Sequence, residues 1–330
     1  MGCIIWHSPK GWDRWFRPVS YLHGFLRKDA AFVPEVRSPT VRRRELGALL
    51  RRLRTEKGLT VEQAADRLMV SPSKLSRIET GHGVATVRDV RDLCDLYDVA
   101  DETERDRMTR LALEGKQPGW WQSYELSQFA DYVGLEADAV AIKDYQSILV
   151  PGLLQTADYA RAANATVIPK PDPERLDELI EVRLRRQGRL TQDPPLRFWV
   201  VLDEAALHRV VGGPVVMEAQ LRHLVEVAGL PNVTLQVISY SAGAHPAMDS
   251  TFNILEFRGA VPSVVYVEGL VGWVYMKRPQ DIARYTQVFE RLCAIALTPQ
   301  ESIELIKETA AHHKSAIPLR AQDAGNLVDS

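Results

Sequence analysis

The sequence predicts a multidomain chain: an all-α domain of five helices, followed by an α+β domain with a mainly antiparallel sheet. Three observations carry this. Up to residue 116, apolar residues recur at helical spacing and the stretches between them begin with helix-capping residues. Beyond Gln117-Pro118-Gly119, runs rich in Val, Ile, Tyr and Trp appear among the helical patterns. These runs are mostly grouped late and joined by short links, as in an antiparallel meander packed with helices. The 330 residues, 45% hydrophobic and 25% charged, suit about two ordinary globular domains.

Residues 1–37 place Trp6, Trp12, Trp15, Phe16, Tyr21, Phe25 and Phe32 among Pro, Gly and Arg without a clear period. We expect a poorly ordered N-terminal extension, with two readings open: a loose arm, or a start codon assigned too far upstream. Its apolar run, Cys3-Ile4-Ile5-Trp6, is too short for a signal-peptide core. No stretch of about 18 apolar residues offers a transmembrane helix. Cys3, Cys94 and Cys293 are odd in number and far apart, which argues against a disulfide framework or a zinc site. The expected location is cytoplasmic.

The first domain is expected over 38–116. Leu46, Leu49, Leu50 and Leu53 recur at i, i+3, i+4 and i+7, the stripe of an amphipathic helix that Gly58 ends. Thr60 with Gln63 forms a capping box for a second helix. Ser71 caps a third, with Pro72 at the first helical position, where no intrahelical bond is lost. Ala64, Ala65, Leu68, Val70, Leu75 and Ile78 form one seam, and small Ala65 lets the helices cross closely. Thr86 caps a fourth helix carrying Val87, Val90, Leu93 and Leu96. Asp101 to Glu104 opens a fifth that runs to about Lys116.

Residues 58–81 therefore read as two short helices joined by a tight turn, the helix-turn-helix unit that lays its second helix in the major groove. Ser73, Lys74, Ser76 and Arg77 are left outward on that helix, and such side chains bond to base edges. The formal net charge is only −2, which argues against a nonspecific nucleic-acid coat. Locally, residues 37–57 hold eight basic residues against two acidic ones, an electrostatic footprint for phosphates. From His82 to Lys116 six basic residues face nine acidic ones, so the domain is polarised. Arg42, Arg43, Arg44, Thr60, Gln63 and Ser71 are the candidates for backbone contact. Helices used only for packing or protein contact are the alternative.

Residues 42–116 resemble the Cro/repressor-type, or xenobiotic-response-element, helix-turn-helix family, most specifically in Leu75-Ser76-Arg77-Ile78-Glu79-Thr80-Gly81. The resemblance implies that Glu79 pairs with Arg54 as a structural link. Two positions depart from the family pattern. Met69 stands where the inter-helix turn often has Gly, so a positive φ there carries strain of about 1 kcal/mol. Val61 stands where many members hold a phosphate with Gln, which shifts anchoring to backbone N–H groups, Thr60 and nearby arginines.

The second domain is expected over 117–313, with helices near 125–133, 156–165, 173–191, 214–228, 279–296 and 299–313. Strands are expected at 139–145, 196–202, 233–239, 251–257, 263–267 and 271–276. The tail, 314–330, lacks periodicity and is expected to be disordered. The helix from Pro173 to Leu190 reads as amphipathic, with Arg175, Arg183, Arg185, Arg186 and Arg189 solvated or paired to a partner. Trp199, Phe252, Phe257, Trp273 and Tyr275 read as one core face, with an aromatic ligand cage as the alternative.

This region resembles the domain of unknown function that follows the helix-turn-helix in a large actinobacterial regulator family described as antitoxin-like. The resemblance rests on Ile148-Leu149-Val150-Pro151-Gly152-Leu153-Leu154-Gln155-Thr156-Ala157-Asp158-Tyr159-Ala160, Arg185-Arg186-Gln187, Asp203-Glu204-Ala205-Ala206-Leu207-His208-Arg209 and Gly243-Ala244-His245-Pro246. It implies a small partner protein encoded nearby.

Glu204 and His208 share a helix face, as two metal ligands would, but no third ligand is identifiable, so a structural pair is the simpler reading. The segment 239–250, with His245 and Asp249, is either a loop over a ligand or partner, or a long β-connection. The expectation is a sequence-specific transcriptional regulator, dimeric on double-stranded DNA, whose C-terminal domain dimerises and takes a signal or partner. It is expected to have no catalytic residues, metal, cofactor or membrane partner. Two other readings stand beside it: an antitoxin-type interaction module that autoregulates, and a DNA-binding domain fused to an enzyme.

Overall fold

Helix α1 spans Pro39–Glu56, with Pro39 at its first position and Arg54 in its last turn. In this computed structural model the described residues are 38–316, apart from 125, 127–128, 168–171, 260 and 270–271. The expected N-terminal extension and residues 317–330 of the expected tail lie outside them. Ser38 N–H donates to Asp138 Oδ1 at 3.0 Å, which satisfies a backbone donor just ahead of α1.

Helices α2 (Val61–Arg67), α3 (Pro72–Glu79), α4 (Val87–Leu96) and α5 (Glu102–Glu114) complete the helical region. Their starts have the expected local causes. Thr60 Oγ1 accepts from Gln63 N–H, and Thr60 N–H donates to Gln63 Oε1. Ser71 Oγ accepts from Lys74 N–H, and Thr86 forms a second capping box with Asp89. Leu46, Leu49, Leu50, Ala64, Ala65, Leu75, Ile78, Val90, Leu93 and Met108 close one apolar core. Gly47 is required where α1 crosses α3: a Cβ there would stand 2.5 Å from the Ile78 carbonyl oxygen.

The remainder is the α+β domain, with a six-stranded and mostly antiparallel sheet. Its strands are β1 (Ala141–Gln146), β2 (Arg197–Asp203), β3 (Val233–Ile238), β4 (Phe252–Glu256), β5 (Val264–Gly269) and β6 (Gly272–Met276). The order is β3-β2-β1-β4-β5-β6. The expected meander is β4-β5-β6, joined antiparallel to β1. The other half differs from a pure meander, because β1, β2 and β3 run parallel. Parallel neighbours need long crossovers, and here helices fill them. Helices α7 (Ala157–Val167) and α8 (Pro173–Gln187) link β1 to β2, and α9 (Ala205–His208) and α10 (Pro214–Val227) link β2 to β3.

Both sheet faces are covered, which explains the unbroken apolar stretch Val200-Val201-Leu202 in β2. On one face Phe198, Val200, Leu202 and Val264 pack with Met217, Leu221 and Leu224 of α10 and with Ile306 of α12 (Pro299–Ser315). On the other, Tyr145, Val201, Phe252 and Val265 pack with Phe289 and Leu292 of α11 (Pro279–Ile295). Helix α12 runs through Ser315, so the helix enters the expected tail at its first two residues.

Helix α6 is Phe129–Asp138, about one turn later than expected, because Trp120–Ser123 forms a 3-10 turn whose rings pack edge to face before it. The arginines of α8 need a larger correction. Arg186 is buried, 6% exposed, in a two-pronged ion pair with Glu136, 1% exposed, at 2.6 and 2.7 Å. Arg183 bonds Gln155, Arg189 donates to the Ala139 carbonyl, and Arg185 lies over the Trp120 ring. No helix among the described residues is long and apolar enough to cross a membrane.

Candidate nucleic-acid interface

The recognition surface is built from the two caps and the outer face of α3. Ser71, Ser73, Lys74, Ser76 and Arg77 are exposed, whereas Leu75 and Ile78 are buried against α1 and α2. Thr60 and Gln63 are exposed at the start of α2, where the capping box leaves unused N–H groups of the first turn outward. Two short helices thus present hydroxyls, first-turn amides and the exposed guanidinium groups of Arg67 and Arg77.

The turn between them is held open by backbone geometry. Met69 has φ +53° and is 94% exposed, so it takes the left-handed conformation that its position was expected to impose. Behind α3, Arg54 donates to both Glu79 oxygens, at 2.6 and 2.9 Å, and to the Leu59 carbonyl at 2.6 Å. The bond to the Glu79 carboxylate holds the Arg54 guanidinium above its usual pKa. That pair ties the end of α1 to the end of α3 and to the segment leading into α2, and so fixes the angle at which α3 is presented.

Sequence reasoning missed a partner for Lys74. Its Nζ lies 2.5 Å from Asp89 Oδ1, and Asp89 is also the capping residue of α4. Burial pushes the Asp89 carboxyl up, but its bonds from Lys74 and Thr86 outweigh this and leave it below the usual carboxylate range. To reach a base edge, Lys74 must leave that carboxylate, whereas Arg77 starts exposed. Thr86 was read as the cap of α4, but its partner Asp89 was not singled out, so this second role went unseen.

Arg42, Arg43 and Arg44, expected as backbone contacts, stand apart from the other candidates. The first turns of α1 pack against α5 and the α+β domain, which half-buries all three. Arg42 pairs with Glu45 at 3.1 Å and Glu114 at 2.7 Å. Arg43 donates to Thr40 Oγ1 at 3.5 Å. Arg44 lies over the Phe257 ring, and burial lowers its pKa to about 10. The basic run between 37 and 57 is therefore divided between Arg51 and Arg52, which are exposed, and a junction.

In the α+β domain, Glu204 and His208 bond each other at 3.2 Å, and Glu204 also accepts from Tyr240 N–H. Among the described residues, no group of three or more His, Cys, Asp or Glu could hold a metal ion. The His245 side chain is 4% exposed, its Nε2 3.4 Å from both Asp203 Oδ2 and Tyr145 Oη. Asp249 instead lines a separate groove of about 570 Å³ with Pro246, Phe252, Val274, Arg284 and Tyr285. His245 itself is not among the residues that line this groove. The quoted sequence segments do meet: Gln187 donates to the Gly152 and Gln155 carbonyls, and Gln220 accepts from Thr156 N–H and donates to the Leu154 carbonyl. Those residues pin the loop after β1.

A helix-turn-helix domain family matches residues 45–108, and it points to DNA binding and regulation. A second family, described as a domain of unknown function (DUF5753), matches residues 129–308. Comparison with curated proteins and with solved structures finds no match. The second match covers more than half of the 330 residues, so the chain belongs to the family defined by that domain of unknown function, here carried behind a helix-turn-helix domain.

Proposed function

We propose that this protein is a sequence-specific transcriptional regulator of the Cro/repressor type, with α3 in the major groove. The single observation that carries the reading is the outer face of α3, where Ser73, Ser76 and Arg77 are exposed on a helix whose inner face is buried. Lys74 and Arg77 read base edges, Lys74 after release from Asp89. Thr60, Gln63 and Ser71 lie at the helix starts, where backbone amides receive phosphates. The protein acts in the cytoplasm as a homodimer, because one recognition helix covers only a half-site. It acts without catalysis; the mutual bonding of Glu204 and His208 supports a structural role for that pair.

The antitoxin-like reading, in which a small partner protein docks on the C-terminal domain, is favoured by one feature. The groove beside Asp249 is about 570 Å³ and is bordered by exposed Val274. Copurification of a stoichiometric small protein is its test.

The main test is fluorescence anisotropy with duplexes from upstream of the gene and with scrambled duplexes, at two salt concentrations. Wild type is expected to prefer the native duplex. Each base contact is worth about 1–3 kcal/mol of discrimination, so the Lys74→Ala/Arg77→Ala variant should lose most of that preference. Unchanged preference in the variant would sink the assignment of α3.

A further inference from the structure

Three basic side chains surround a cleft at the junction of α1, the turn after α3, α6 and β6. Arg43 and Arg44 come from α1, Lys277 follows β6, and the cleft measures about 150 Å³. His82, Asp131 and Tyr275 complete the polar lining, so one carboxylate faces two arginines and a lysine. Proteins bury charge when it is paired, and this cleft has too few acceptors. Arg43 Nε, Arg44 Nη1 and Tyr275 Oη are buried and have no hydrogen-bond partner among the described residues.

The remaining geometry shows the same surplus of donors. Lys277 Nζ lies 3.2 Å from His82 Nε2, a distance at which an ammonium donates to a neutral imidazole nitrogen. Burial pushes the Lys277 ammonium down to about 8, with Arg44 adding to the effect, and burial and Lys277 lower His82 as well. The access of Arg44 is itself shaped by glycine. A Cβ on Gly81, which has φ +76°, would stand 2.5 Å from Arg44 Cγ. A ligand completing this site must be small, must carry several acceptor oxygens and must be negative. A carboxylate-bearing side chain or a phosphate group meets all three conditions, and a dianion matches the excess of positive over negative charge.

We propose that this cleft is a binding site for a small oxyanion of the phosphate class, held by Arg43, Arg44 and Lys277 with the Tyr275 hydroxyl as a further donor. Arg44 and Gly81 belong to the helix-turn-helix region, and Tyr275 and Lys277 to the α+β domain, so the anion ties the two together. It therefore occupies the position of an effector for the presentation of α3. That consequence rests on the DNA-binding reading, while the anion site does not.

Isothermal titration of the full chain with inorganic phosphate, at ionic strength held constant with sodium chloride, tests the site directly. Thermal denaturation in the same buffers is the second readout. Wild type is expected to show saturable one-to-one binding and a higher Tm in phosphate than in chloride. Lys277→Gln and Arg44→Gln are expected to weaken binding about tenfold or more, as loss of a charge-assisted hydrogen bond does. Asp131→Asn removes the competing carboxylate from an exposed position and is expected to tighten binding, a change that unfolding cannot mimic. Absence of saturable binding by wild type, or wild-type affinity in both Lys277→Gln and Asp131→Asn, overturns the proposal. DNA anisotropy in the same buffers separates the two readings. A chain that binds phosphate but no duplex refutes the regulator and keeps the site, and one that binds a specific duplex but no phosphate does the reverse.

Discussion

Glu79→Ala isolates the ion pair that ties α3 to the end of α1. The Glu79 side chain is 4% exposed and its partner Arg54 11%. Arg54 makes three bonds, at 2.6 and 2.9 Å to the carboxylate and at 2.6 Å to the Leu59 carbonyl. Truncating Glu79 removes two of the three and leaves a largely buried guanidinium with one acceptor. Breaking such a pair from one side costs about 3–5 kcal/mol, because the surviving charge keeps its desolvation penalty. Replacing both partners with apolar residues, as in Arg54→Met/Glu79→Leu, removes that penalty as well. The double variant should therefore lie within about 1 kcal/mol of wild type, with a coupling energy at the top of the usual range or above it. Amide hydrogen exchange on the full chain, followed in peptides from α1 and α3, reads the opening energy of this region without assuming global two-state unfolding. Since 1.4 kcal/mol is tenfold, Glu79→Ala should speed exchange there by about a hundredfold or more, and leave β1 to β3 unchanged. Additive single effects, or acceleration below about tenfold, would refute the claim that this pair sets the angle of α3.

Two further outcomes follow from strain and from burial. Met69→Gly should raise stability by about 1 kcal/mol, since φ +53° is costly for a side chain that is 94% exposed and packs on nothing; a lower Tm in thermal denaturation would show that the thioether contributes. Burial raises the Asp144 carboxyl to about 7, against the opposing hydrogen bonds from Gln146 and Asn253. The unfolded chain releases that proton at about pH 4, so the folded state holds it across the window from about 4 to 7 and loses stability as pH rises through it. Asp144→Asn should abolish that slope and stabilise the protein at pH 8 by up to about 4 kcal/mol; urea denaturation at pH 5 and pH 8 that tracks wild type at both would reject this.

Elements whose cause is local were legible, and elements whose cause is distant were not. The starts of α2, α3 and α4 depend on Thr60, Ser71 and Thr86 bonding three residues ahead, so one short window contains the whole argument. The Arg54–Glu79 link spans 25 residues and was reachable only through the resemblance. The parallel order of β1, β2 and β3 depends on which strand lies beside which after long helical crossovers, and alternation within a strand carries no record of that. Helix α8 shows the same limit. Its arginines look like a solvated face because Glu136, the residue that makes Arg186 buriable, stands 50 residues away. The cleft beside Arg44 was hidden for a related reason: a basic run ahead of a helix-turn-helix reads as a phosphate footprint until Arg42, Arg43 and Arg44 within it are seen to pack inward.

That inward packing changes what the junction can transmit. Helix α1 serves two cores, since Val41 packs in the sheet-side cluster whereas Leu46, Leu49 and Leu50 pack among α2 to α5. Its 18 residues form a rod of about 27 Å at 1.5 Å per residue, with no flexible linker between those two ends. At one end Ser38 N–H is fixed to Asp138, and Arg42 to Glu114. Near the middle Gly47 lies so close to the Ile78 and Glu79 carbonyls that even a methyl group would collide, so α1 cannot move without carrying α3. Close-packed interfaces of this kind shift as units between discrete arrangements and do not deform continuously. A displacement imposed on the first turns of α1 by the α+β domain would therefore reach α3 as a change of its angle, the variable on which the proposed binding of two half-sites depends.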